Sequence, residues 1–243
     1  MTVHCIKEKK NSGEKREFKA VIFDLDGTLI DSEPNYFEAF KRILEEHGVT
    51  DYTAKMNRQY YGMGVKEVLE AFKEKYHIQA SIDAIVAKSN EYYLDFARRN
   101  TIVFPEMFKL VKKLKASCYP LALASGSSLE IIEDILAAAR LGDYFDLIIS
   151  SEKVGKSKPE PDVFLETARR LAVEPAHCLV LEDSPYGVMA AQRAGMSCIA
   201  VPSGNLSALH DCFFKADLLL ENGMSDFSAD KAFEWIQSDG LAV

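Results

Sequence analysis

Six short stretches of the chain are apolar almost without interruption: "KAVIFD" (19–24), "YPLALAS" (119–125), "FDLIIS" (145–150), "HCLVLED" (177–183), "SCIAV" (197–201) and "ADLLL" (216–220). A strand with one wet face alternates apolar and polar residues. Continuous apolar runs of this length fit strands covered on both faces. Residues 105–115, 127–139, 160–171 and 185–194 carry helical spacing instead. Strand alternating with helix predicts an α/β fold of three layers, a parallel sheet with crossover helices on both sides.

One interval breaks the alternation. Between residues 35 and 102 no strand pattern occurs, whereas "YFEAFKRILEEHG", "VKEVLEAFKEKY" and "SIDAIVAKSNEYYLDFARR" all have helical periodicity. This predicts a helical-bundle cap domain, residues 35–102, inserted directly after the first strand. The α/β core then comprises 18–34 and 103–243. Residues 1–17 are charged, lack the apolar segment of a secretory signal and read as a flexible tail.

Composition narrows the partners. A net charge of −8 disfavours nucleic acid or an anionic membrane, which call for a basic face, and suits bound cations. No apolar run approaches the ~18 residues of a membrane span. The five cysteines, Cys5, Cys118, Cys178, Cys198 and Cys212, form no C-x-x-C pair. Cys118, Cys178 and Cys198 lie in or beside apolar runs and read as buried free thiols, which points to a reducing cytoplasm. Oligomeric state is not legible.

In open parallel sheets, ligands bind beyond the carboxyl ends of the strands. Here those ends are polar. The first strand runs into Asp24, Asp26, Gly27 and Thr28. The second ends at Ser125, Gly126 and Ser127, and a later one at Glu182, Asp183 and Ser184. Carboxylates gathered at one edge need a counter-charge. A hard divalent cation with oxygen ligands supplies it, magnesium being the best fit, and Lys158 in "GKSKPEPD" supplies another. Gly27 permits a sharp turn after Asp26.

Taken singly, these features have ordinary readings. An aspartate at a strand end is commonly a turn residue, Ser127 suits a helix N-cap, and Lys158 suits a solvated loop. "VGKSK" is not a phosphate-binding P-loop, because Ser150 stands where that pattern requires glycine.

Together and in order, "DLDGTLIDSE", "LASGSS", "KSKPEPDVF" and "LEDSPYGVMAAQRAGM" resemble the four motifs of the haloacid-dehalogenase-like hydrolases, in the branch holding β-phosphoglucomutase and many small-metabolite phosphatases. The resemblance covers nearly all the chain beyond the tail and implies a Rossmann-like core. It implies Asp24 as nucleophile through an aspartyl-phosphate, Asp26 as general acid and then base, and Lys158 as charge-balancing cation. Thr28, Ser125, Gly126 and Ser127 would bind or position the phosphoryl group. Asp24, Asp26 through its main-chain carbonyl, Glu182 and Asp183 would hold Mg2+.

An acid at Asp26 fits phosphoryl transfer rather than dehalogenation, since a halide leaves without a proton. The mutase relatives carry a histidine ten positions after the second aspartate and basic residues around a cap-loop glycine. Tyr36, Tyr61 and Val65 stand at those places here. The expectation is a magnesium-dependent phosphatase of sugar or polyol phosphates, with a phosphosugar mutase as the alternative. Gly62 and Lys66, in "YYGMGVKEVL", are expected to meet the substrate's leaving group.

Overall fold

A computed structural model describes residues 17–61, 63–203 and 211–240, together with the backbone of Lys7–Glu8. The six predicted strands all form: β2 (Ala20–Phe23), β5 (Leu121–Ser125), β6 (Leu147–Ser150), β7 (Cys178–Glu182), β8 (Ser197–Ala200) and β9 (Leu218–Leu219). They lie parallel in the order β6-β5-β2-β7-β8-β9, so the order reverses between β2 and β7. That reversal is the topological switch point at which such sheets open a crevice. The tail expectation falls mostly outside the described residues. Within it, Lys7–Glu8 (β1) pairs antiparallel with β9 at the sheet edge.

The unbroken apolar runs follow from the two covered faces. Val21, Phe23, Leu121, Leu123, Leu179 and Leu181 point into one apolar cluster; Ala20, Ile22, Ala122, Ala124, Cys178 and Val180 point into the other. The first face is bulky and meets α5 (Pro105–Ala116), α6 (Leu129–Ala139) and α9 (Ala229–Gln237). The second is lined with small residues and meets α7 (Asp162–Leu171) and α8 (Pro185–Arg193), whose own inner residues include Ala168, Ala190 and Ala191. Small side chains on both partners let helix and strand approach closely. The C-terminal helix α9 and the edge strand β1 were not legible as elements in the sequence.

After β2 the chain forms the helices α1 (Glu33–Glu46), α2 (Ala54–Asn57), α3 (Val65–Lys75) and α4 (Ile82–Asn100) before returning to the core. Pro34 sits in the first turn of α1, where its missing N–H costs nothing, and Gly48 at φ +82° turns the chain just past its end. Ser81 caps α4 by accepting from the Ala84 N–H at 3.3 Å. The outgoing and returning strands pair with each other, β3 (Ile30–Asp31) antiparallel to β4 (Ile102–Val103), and the Phe104 N–H donates to the Leu29 carbonyl at 3.1 Å. Both crossings to the helical insertion are thus tied side by side.

Two details depart from the sequence reading. Cys178, Cys198 and Cys212 are buried thiols, but Cys118 is exposed. It falls in the turn after α5 at φ +61°, where no strand covers it. Ser127 does not cap α6. Ser128 does, accepting from the Ile131 N–H at 3.4 Å, which releases the Ser127 hydroxyl for another partner.

Candidate active site

The carboxyl ends of β2, β5 and β7 open into a cavity of about 560 Å³ roofed by α1, α3 and α4. Asp24, Asp26, Ser125, Gly126, Ser127, Lys158 and Asp183 line its floor; Glu33, Tyr36, Tyr60 and Lys66 line its upper wall. The groups predicted from three separate strand ends therefore meet. Gly62 lies outside the described residues. Thr28 is brought close but does not face the cavity. It is fully buried and its hydroxyl donates to Oδ1 of Asp183 at 3.3 Å, which orients that carboxylate.

Lys158 is the electrostatic centre. Its Nζ donates to Oδ1 of Asp24 at 2.5 Å, to Oε1 of Glu182 at 2.7 Å and to the Ala124 carbonyl at 3.1 Å, and it stands 5.0 Å above the Phe164 ring. Burial alone would lower its pKa, yet Asp24 and then Glu182 outweigh that penalty and raise it. Asp24 is pushed well above its ordinary value by burial, against the pull of Lys158, with Glu182 and Asp183 adding like charge. Asp183 is raised by burial and then by Glu182. Lys158 meets Asp24 through Oδ1.

Glu182 is held differently. Its Oε2 accepts from the N–H groups of Asp183 and Ser184 and from the Ser184 hydroxyl, each at 3.0 Å. Space for it exists because residue 187 is glycine: a Cβ there would stand 1.7 Å from Oε1. Gly27 has the same role for Asp183. At φ +77° it makes the turn expected of it, and a Cβ would also fall 2.1 Å from Oδ2 of Asp183. That oxygen accepts from the Ser203 hydroxyl.

Oxygens of Asp24, Glu182 and Asp183 lie within 4.8 Å of one another, all buried. Three carboxylates share one ammonium, and the donors are hard oxygens. The residues present therefore fit a divalent cation of the magnesium type.

Asp26 belongs to a second cluster. Its Oδ2 accepts from the Ser127 hydroxyl at 2.8 Å and its Oδ1 from the Tyr93 hydroxyl at 3.0 Å. Burial raises its pKa, while the hydroxyls of Ser127, Tyr93 and Ser32 oppose the rise. The Ser127 N–H in turn donates to Oγ of Ser125 at 3.0 Å, which folds the turn after β5 upon itself.

Tyr93, Glu33 and Ser203 were missed as site residues. Glu33 lay inside the quoted first motif, but Tyr93 and Ser203 carry no sequence signal, because only the tertiary fold brings them near. Tyr61, by contrast, does not line the cavity, whereas its neighbour Tyr60 does.

The family model of haloacid dehalogenase-like hydrolases matches residues 21–201. A fructose-1-phosphate phosphatase of Escherichia coli is 31% identical over 186 residues, 76% of this chain and 96% of that protein. A bifunctional riboflavin kinase/FMN phosphatase of Arabidopsis thaliana is 34% identical over 192 residues, 78% of this chain; the chain spans about half of that larger protein, 50% of its length. The crystal structure of a β-phosphoglucomutase from Clostridium difficile superposes with a TM-score of 0.73 at 26% identity, covering 92% of this chain and 97% of that one. The motif geometry and these likenesses agree: the chain belongs to the haloacid dehalogenase-like hydrolases and is one of their phosphatases.

Proposed function

We propose that the protein hydrolyses phosphate monoesters of small sugars or polyols, with magnesium, through an aspartyl-phosphate on Asp24. The convergence of Asp24, Asp26, Lys158 and Asp183 in one cavity carries this reading.

A carboxylate oxygen of Asp24 attacks phosphorus and forms the O–P bond as the bond to the leaving oxygen breaks. Asp26 gives that oxygen its proton, and a neutral alcohol departs. Water then attacks the aspartyl-phosphate, Asp26 takes its proton, and the Asp24–phosphorus bond breaks to give orthophosphate. Ser125 and the Gly126 N–H hold phosphoryl oxygens, and Lys158 keeps Asp24 aligned. Asp24, Asp183 and the main-chain carbonyl of Asp26 would hold Mg2+, with Glu182 beside them, and the bound ion would offset the charge of the phosphoryl group.

The helical insertion, residues 35–102, acts as a cap that excludes water and contacts the leaving group through Tyr60 and Lys66. Tyr36, in place of a mutase histidine, favours water as acceptor over a second sugar hydroxyl. The buried thiols support a cytoplasmic setting.

The test is a panel of phosphorylated metabolites with and without magnesium, reading orthophosphate. At least one sugar or polyol phosphate should release it with magnesium only, and Asp24→Asn should abolish release by about 10³-fold or more. Isomerised monophosphate without orthophosphate would establish the mutase instead. Activity unchanged in Asp24→Asn would remove the covalent mechanism.

A further inference from the structure

We propose that Tyr93, on the insertion helix α4, is the positioning residue that decides which oxygen of Asp26 carries the proton. The proposal rests on Asp26 being the general acid and adds what aligns it.

The two oxygens of Asp26 face different parts of the molecule. Oδ1 accepts from Tyr93 at 3.0 Å, and Tyr93 is fully buried and lines no part of the cavity. Oδ2 accepts from Ser127 at 2.8 Å, and Ser127 lines the cavity on the turn after β5. Oδ1 thus backs into the insertion and Oδ2 lies on the cavity side.

The two hydroxyls also differ in freedom. The Tyr93 ring is clamped: it stacks on Tyr36 of α1 with centroids 4.0 Å apart and planes 19° apart. Its hydroxyl can donate to Oδ1 whether Asp26 is protonated or not. Both hydroxyls can donate or accept, but a phenol is the stronger acid and the better donor, so Tyr93 holds the donor role to Oδ1 and Ser127 the acceptor role. When Asp26 is neutral, its proton therefore sits on Oδ2, pointed at Ser127 or at the leaving oxygen in its place. Without Tyr93 the carboxyl can turn, or carry its proton on the wrong oxygen.

The device links acid to insertion. Tyr93 reaches Asp26 only while α4 is seated on the core, where Arg98 also pairs with Asp134 of α6 at 2.5 Å. An insertion displaced from the core would take Tyr93 from Oδ1 and leave Asp26 to the hydroxyls of Ser127 and Ser32.

The experiment compares kcat/KM, with magnesium, for two substrates of the wild type, Tyr93→Phe and Asp26→Asn. One is the best sugar or polyol phosphate, whose alkoxide needs a proton to leave. The other is p-nitrophenyl phosphate, whose phenolate leaves without one. This parameter reports steps up to departure of the leaving group. Tyr93→Phe keeps the ring and its stack and removes only the hydroxyl.

It should lower the alkyl-to-aryl ratio by about tenfold or more, and Asp26→Asn should lower it further, since a positioned acid contributes roughly 10²–10⁴-fold. A ratio within twofold of wild type in Tyr93→Phe, with the ratio collapsed in Asp26→Asn, would overturn the proposal and leave Asp26 as the acid. An equal fall on both substrates would overturn it as well, since that is what loss of general structure produces. A ratio unmoved in Asp26→Asn would remove the acid assignment and this proposal with it.

Discussion

The floor and the roof of the cavity are built on different physics. The floor, at the strand ends of the core, is held by charge: one buried ammonium binds two carboxylates and a carbonyl, and main-chain N–H groups fix Glu182. The roof, in the insertion, is held by rings. Phe72 touches the rings of Phe40, Tyr52, Tyr60 and Tyr76 at centroid distances of 5.6, 5.3, 5.0 and 6.1 Å. A buried charge is tolerated only with a particular partner at hydrogen-bond distance. A ring cluster tolerates many sequences of similar volume. The floor is thus chemically constrained residue by residue, and the roof is free to vary in what it presents to the leaving group.

The sharpest way to break this contrast is to remove the central charge. Lys158→Met keeps an apolar stem against Phe164 but leaves Asp24, Glu182 and Asp183 with no cation. Removing one member of a buried pair costs about 3–5 kcal/mol. Urea unfolding without magnesium should show a loss of that order, and orthophosphate release should fall by at least two orders of magnitude. Added magnesium, by binding the native cluster, should restore part of the stability. Unchanged stability in metal-free buffer would mean that the floor is not held by charge.

Phe72→Ala addresses the roof. Phe72 is fully buried at the centre of the ring cluster, and truncating such a residue costs about 3–5 kcal/mol through lost transfer energy and a cavity. The apolar cluster that contains it runs on into the core. The contrast predicts that amide exchange will quicken across residues 33–100 before it quickens in β2, β5 and β7. Loss of protection everywhere at once would make insertion and core one cooperative unit. Activity should fall less than in Lys158→Met, because no reacting group is removed.

The same contrast explains what could be seen in the sequence. Continuous apolar runs announced all six parallel strands, and the polar residues directly after β2, β5 and β7 announced the floor. Those signals are local: a strand end fixes where its next residue points. Ser127 was legible as a site residue but its partner was not, because capping of α6 passes to Ser128 and leaves Ser127 for Asp26. The Thr28 hydroxyl's partner was illegible for a similar reason: the turn at Gly27 sends it to Asp183. Tyr93 was illegible. It is 67 residues from Asp26, in a helix whose apolar positions all look alike, and only the packing of α4 against α1 selects it. Roof residues gain their roles through tertiary contact, which periodicity does not encode.

Glu33 sits where floor and roof join, at the first turn of α1, and it gives the smallest and most local test. Burial, then the like charges of Asp31 and Asp26, push its carboxyl up to about 7, even though a helix start favours an anion. The folded protein therefore binds this proton more tightly than the unfolded chain does. Its contribution is fully present below the ordinary glutamate value and is lost as pH rises from about 4.5 to about 7, then stays flat. Glu33 is only partly buried, so the loss is on the order of 1–3 kcal/mol after allowing for solvent. Glu33→Gln keeps the shape and removes the titration. The variant should fall less steeply with pH across that window than wild type and be more stable than wild type at pH 8 by a similar amount, measured by urea unfolding in metal-free buffer. A difference between wild type and Glu33→Gln that is flat across this window would place Glu33 in a solvated setting and assign it to the roof's rim rather than to the charged floor.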